Sequence, residues 1–182
     1  MTKRNFTALL ITLLACSIST FTRAGGLQVG TEAPYFKVKS GAGDEVTLNM
    51  AKDKIVVIFY ETKEVAEQNR KLKSQLNISY HELADSQKAF IVRLPVINCS
   101  SAFWPITAIW KSRLRENSLR EGLTIYGDWD GNLLSAYRLK DKESNVVIID
   151  RKGIIRYFAS GKIENDEISR IKVLLKELIY NQ

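Results

Sequence analysis

Lys54-Ile-Val-Val-Ile-Phe-Tyr60 decides how this chain folds. The run is short, continuous and rich in β-branched residues, and it is entered from the polar turn Ala51-Lys-Asp-Lys54. A strand with one wet face alternates apolar and polar residues; this one does not alternate, so it belongs at the centre of a sheet covered on both sides. Just after it the periodicity changes. Val65, Leu72 and Leu76 stand seven and four apart with charges between them. That spacing predicts a helix beginning in Glu61-Thr-Lys-Glu-Val-Ala-Glu-Gln-Asn-Arg70 and continuing or restarting through Ile78-Ser-Tyr-His-Glu-Leu83.

Upstream, Pro34 fixes an extended lead-in over Val29-Gly-Thr-Glu-Ala-Pro-Tyr-Phe36, since the residue before a proline is pushed away from helix. Phe36-Lys-Val-Lys39 alternates as an edge strand does, Gly41-Ala-Gly-Asp44 is a turn, and Val46-Thr-Leu48 is a second short strand. Downstream, Ala89-Phe-Ile-Val-Arg-Leu94 reads as another buried strand, ended by Pro95. Asn98-Cys-Ser-Ser101 offers N-cap side chains to a helix carrying Phe103, Ile106, Trp110 and Leu114 at helical spacing. Leu123-Thr-Ile-Tyr126 is a strand and Asp128-Trp-Asp-Gly131 a turn. Leu133 to Leu139 is open between helix and strand.

Asn145-Val-Val-Ile-Ile149, the turn Asp150-Arg-Lys-Gly153 and Ile154-Ile-Arg-Tyr-Phe158 form a closing hairpin. The last helix is capped by Asn165, with Asp166 and Glu167 in its first turn and Ile168, Ile171, Leu174, Leu175, Leu178 and Ile179 on one face. Parallel crossovers feeding an antiparallel hairpin predict an α/β fold, a mixed central sheet with helices on both faces.

The first 24 residues stand apart from this pattern. Lys3 and Arg4 precede an apolar run beginning at Phe6, and Thr22-Arg-Ala24 supplies small residues where a signal peptidase cuts. The expected organisation is a signal peptide over 1–24 and one domain over 25–182, in a periplasmic protein without a membrane span. Leu13-Leu-Ala-Cys16 resembles a lipobox and offers the alternative of a lipid anchor at Cys16. Cleavage removes three bases and no acid, taking the formal charge from +7 to +4. The remaining bases are dispersed, which argues against nucleic acid as a partner. Cleavage also leaves Cys99 as a single thiol that can form no internal bridge.

The element order, Val29-Gly-Thr-Glu-Ala-Pro-Tyr-Phe36, Ile55-Val-Val-Ile-Phe-Tyr60 and Val146-Val-Ile-Ile-Asp-Arg-Lys-Gly153 resemble the thioredoxin fold in its peroxiredoxin and TlpA-like form. The resemblance implies a three-layer thioredoxin-like sandwich over residues 27–180. More narrowly, Asp141 to Tyr157 followed by Ala159-Ser-Gly161 is similar to the YtfJ-like family of small exported bacterial proteins. Redox-active relatives carry a Cys-x-x-Cys after the central strand; counting the same way from Tyr60 reaches Glu64 and Glu67. Counting back from Asp150 puts Ser144 where those enzymes hold a cis-proline. A carboxylate cannot perform thiol–disulfide exchange, which needs a sulfur nucleophile.

The remaining candidates follow from residue chemistry. Glu61, Glu64 and Glu67, three apart on one expected helix face, suit a solvated face favoured by the helix dipole better than a metal cage. Cys99, opening a helix, is the one candidate nucleophile; the competing role is a small buried side chain. His81 is the single histidine and lacks the company a zinc site or triad requires. Among the aromatic residues, Trp104 and Trp129 are the candidates for a binding surface. Asp128 and Asp130 are too few for a cation site. The expected function is a redox-inactive binding or accessory module for a periplasmic protein or small ligand, with no cofactor and no metal. Its rival is a single-cysteine oxidoreductase or peroxidase acting through Cys99.

Overall fold

The computed structural model describes residues 27–180; the leader over 1–24 and Cys16 lie outside the described residues. The apolar run becomes β3 (Ile55–Glu61), and all seven of its residues are buried. It pairs in parallel with β4 (Ile91–Asn98) and antiparallel with β6 (Asn145–Ile149). Successive side chains point to opposite faces of a strand, so this single segment feeds two cores. Val56, Ile58 and Tyr60 meet Phe36, Leu94, Val96 and Leu133 on one face. Ile55, Val57 and Phe59 meet Leu72, Ile148, Ile168 and Ile171 on the other. Each such side chain removed from water contributes roughly 1.5–3 kcal/mol.

From β3 the sheet extends both ways. With β1 (Lys37–Ser40), β2 (Glu45–Thr47), β5 (Tyr126–Asp128) and β7 (Ile155–Ser160), its order is β2-β1-β5-β4-β3-β6-β7. β3, β4 and β5 run parallel; the other pairings are antiparallel. The helices are α1 (Arg70–His81), α2 (Asp85–Lys88), α3 (Ile106–Glu121), α4 (Asn132–Ala136) and α5 (Asn165–Tyr180). α1 and α5 pack on the Phe59 face through Leu72, Ile168, Ile171 and Ile179; α4 packs on the Tyr60 face through Leu133. This is the expected three-layer α/β sandwich. Among the described residues no helix is long and apolar enough to cross a membrane.

Several local expectations are corrected. Residues 61–70 are not a helix: Glu61 is the last residue of β3, Lys63–Val65 form a single 3-10 turn, and α1 starts at Arg70. The cause lies at Asn69, whose backbone (φ −109°, ψ 32°) leaves the helical path because its side chain is held by groups from distant parts of the chain, Ser144 and Ile163. The three glutamates therefore share no face. Pro95 does not end its strand. Ile55 N–H donates to Phe90 O, and the alternation of a parallel ladder then directs the position of Pro95's missing N–H away from β3, before β5 begins to pair at Val96.

β1 is not an edge; β2 and β5 flank it, and its alternation comes from burying Val38 and Ser40 while Lys37 and Lys39 are left less covered. α3 starts later than expected. Asn98 Oδ1 accepts from the N–H and hydroxyl of Ser100 in a local turn, so Phe103 and Trp104 precede the helix and are exposed. The third parallel strand is shifted toward the chain's C-terminus, to Tyr126–Asp128, and the undecided segment after it contains α4. In α5, Asn165 is the first helical residue and Glu164 O accepts the first helical bond.

Candidate functional site

The end of β3 carries a carboxylate into the interior. Glu61 is 4% exposed, and its oxygens accept from Lys73 Nζ of α1 at 2.9 and 3.2 Å and from the Ser144 hydroxyl at 2.7 Å. Ser144 Oγ in turn accepts from Asn69 Nδ2 at 2.9 Å. The same amide nitrogen donates to Gly161 O, and Asn69 Oδ1 accepts from Ile163 N–H. Ser144 N–H donates to Gln68 Oε1 at 2.9 Å. Lys73 Nζ also donates to Ala66 O. Burial raises the Glu61 carboxyl above its ordinary value, and Ser144 and Lys73 offset part of that rise.

This network ties together the end of β3, the turn over 62–69, the segment before β6 and the lead into α5. Every partner of Glu61 is a donor, as an ionised carboxylate requires. It holds no thiol, and its donors and acceptors are engaged with one another. Glu64 and Glu67 sit outside it. Glu67 pairs with Arg70 at 3.6 Å, and both side chains are exposed. Glu64 is held below its ordinary value, first by its own backbone N–H and in smaller part by Lys63 and Lys142.

A second buried carboxylate ends β5. Asp128 is fully buried; its Oδ2 accepts from the Tyr60 hydroxyl at 3.1 Å and from Leu134 N–H at 3.0 Å, while Oδ1 has no partner. Burial is the main cause that raises its pKa. Cys99 N–H donates to Asp128 O, and the Cys99 side chain is fully buried beside it. Burial, with Asp128 adding to it, pushes the Cys99 thiol up to about 12. Gly127 is required here: a Cβ would stand 2.7 Å from the Trp129 ring and 3.0 Å from Cys99 Sγ.

The aromatic candidates part company. Trp129 is anchored, its indole N–H donating to Lys39 O at 3.0 Å with Lys111 over its ring. Trp104 is 87% exposed and Phe103 65%. His81 closes α1, and among the described residues no group of three or more His, Cys, Asp and Glu could hold a metal. Asn69, Gln68, Lys73 and the tyrosine partner of Asp128 escaped the sequence reading. Assigning 61–70 to a helix hid the first two. The one available signal was the polar Gln68-Asn69 pair directly ahead of the apolar stripe that opens α1.

The turn over 62–69, Asn98 to Ser101, and Asp141 and Lys142 form one end of a trench of about 1940 Å³ between α1 and α3.

A family model described as "Bacterial protein of unknown function (YtfJ_HI0045)" matches residues 50–178. No curated protein matches the chain. Solved structures match over most of the chain. An uncharacterized conserved protein from Geobacillus kaustophilus is 15% identical with a TM-score of 0.64, over 86% of this chain and 84% of its own. A peroxiredoxin-like protein from Aquifex aeolicus is 19% identical with a TM-score of 0.58, over 82% and 89%. The thioredoxin domain of a thiol-disulfide oxidoreductase from Bacteroides vulgatus is 17% identical with a TM-score of 0.57, over 84% and 99%. At these identities the likeness is one of fold, and the fold is thioredoxin-like.

Proposed function

The chain belongs to the YtfJ_HI0045 family of bacterial proteins of unknown function, and we propose that it is an exported thioredoxin-fold binding or accessory module that works without thiol chemistry. The observation that carries this reading is the Glu61–Ser144–Asn69 network. It holds the end of the central strand and takes in Ser144, at the position where redox-active relatives are expected to keep a cis-proline. The expected thiol positions, Glu64 and Glu67, stand exposed outside it as carboxylates. What remains available is recognition, through exposed Trp104 and Phe103 and through exposed Glu64 and Glu67 on the turn after β3. Aromatic side chains of this kind anchor interfaces because they bury large area at little entropic cost. Export rests on the leader over 1–24, and the intact mass of the mature protein distinguishes cleavage after Ala24 from lipidation at Cys16.

The rival, a Cys99 oxidoreductase or peroxidase, asks a fully buried thiol with a pKa of about 12 to supply a thiolate at neutral pH. Insulin reduction and peroxide consumption test both readings. The expected result is no thiol-dependent turnover, and no difference between the wild type and Cys99→Ser. Turnover that disappears in Cys99→Ser would replace the binding reading with the rival.

A further inference from the structure

We propose that the trench between α1 and α3 binds a single-chain anionic amphiphile, an alkyl or acyl chain ending in a carboxylate or phosphate. This goes beyond the reading above, since it concerns the sheet face rather than the end of β3 and is indifferent to thiol chemistry. The trench exists because two neighbouring central strands are covered unequally. Every residue of β3 is buried, whereas Ile91, Arg93, Pro95 and Ile97 of β4, which line the trench, are only partly covered. Its volume, about 1940 Å³, exceeds the roughly 300–1,000 Å³ of ordinary small-molecule pockets, so an elongated ligand suits it. Leu76 of α1 and Trp110 and Leu114 of α3 add apolar surface along its length.

The charge lies toward the end of the trench remote from Glu61. Arg93 rises from the floor with its guanidinium 4.0 Å from the Tyr80 ring centroid and one nitrogen donating to Asn77 Oδ1 at 2.8 Å. Both partners are neutral, and among the described residues no carboxylate lies within ion-pair distance of Arg93. The guanidinium keeps further N–H donors in its planar fork, suited to a carboxylate or phosphate. Arg113, Lys172 and Lys176 line the same trench and likewise have no ion pair among the described residues. Arg120 brings the bases along this end to five, against three acids, Glu82, Glu116 and Glu121, the last of them paired with Arg120. Positive charge is left over.

An extended peptide suits this floor less well than an alkyl chain. A sheet face presents side chains rather than backbone amides, and an apolar floor leaves a peptide's own N–H and C=O groups without partners. A hydrocarbon chain has none to satisfy. Its head then meets Arg93, the arginine carried by the strand that makes this floor.

The test measures binding of three 18-carbon probes to the purified protein by calorimetry, below their micelle concentrations: sodium oleate, 1-oleoyl lysophosphatidate and neutral oleyl alcohol. Saturable one-to-one binding of oleate, of lysophosphatidate or of both is expected, and which of them binds identifies the source of the head group. Oleyl alcohol should bind at least about tenfold more weakly, the loss of a charge-assisted pair. Arg93→Met keeps the aliphatic stem and should weaken the anionic probe about tenfold while leaving the alcohol unchanged. The alcohol comparison uses the unaltered chain and so holds even if the variant misfolds. The proposal is overturned if neither anion binds saturably, if the alcohol binds as well as the anions, if a folded Arg93→Met binds oleate and lysophosphatidate as the wild type does, or if an acidic peptide binds where both lipids fail.

Discussion

β3 and β5 each end in a carboxylate taken out of water, and the two are handled in opposite ways. Glu61 receives donors from α1 and from the segment before β6, and Ser144 is held in turn by Asn69, which bonds onward to Gly161 and Ile163. Asp128 receives two donors on one oxygen and none on the other. A buried carboxylate with donors on both oxygens stiffens the elements that supply its partners; one left half-satisfied costs stability. The first centre is thus a latch across the fold. The second is a local debit, tolerated in a tightly packed corner with Cys99 and Trp129.

The largest expected effect breaks the latch. Glu61→Leu removes the acceptor of Lys73 and Ser144 and should lower the unfolding free energy by roughly 3 kcal/mol in urea titration with an unchanged slope. A loss below about 1 kcal/mol would erase the contrast between the two centres. Next comes Gly127→Ala, which drives a methyl into Trp129 and Cys99 and should cost about 1–3 kcal/mol, read as a shift in the urea midpoint. If it were neutral, the Asp128 corner would have the slack to rearrange around its orphan oxygen.

Smaller and opposite in sign is Asp128→Asn. The folded chain holds the Asp128 proton more tightly than the unfolded chain does, because burial raises its pKa. The favourable contribution is therefore complete below the unfolded carboxyl value and is lost as pH rises through the folded one. Asparagine titrates nothing and still offers an acceptor to Tyr60 and Leu134. The variant should gain stability relative to wild type as pH climbs above about 4, followed by urea midpoints across pH. A difference that shrinks instead would mean Asp128 is stabilised as the anion. Least disturbing of all is alkylation of Cys99 at pH 8. With the thiol at about 12, mass spectrometry should find it unmodified in the native protein and modified in denaturant. Rapid native labelling would open that corner to solvent.

What could be read directly was whatever depends on neighbours in sequence. The buried runs of β3 and β6, the hairpin turn at Asp150 to Gly153 and the apolar stripe of α5 are periodic or compositional signals, and each lies where its pattern put it. The site was legible only in part. Ser144 was picked out by resemblance, but its acceptor is 83 residues away and Asn69 meets Ile163 across 94.

The amino-acid sequence alone determined the layered α/β plan, because hydrophobic periodicity is set over a few residues and selects strand or helix before any distant contact forms. Only the tertiary structure decided that Glu61 ends a strand, that Cys99 lies sealed beneath Asp128 and that Trp104 stands in solvent. Burial and partnership of polar groups are properties of the assembled sheet, and no window along the chain contains them.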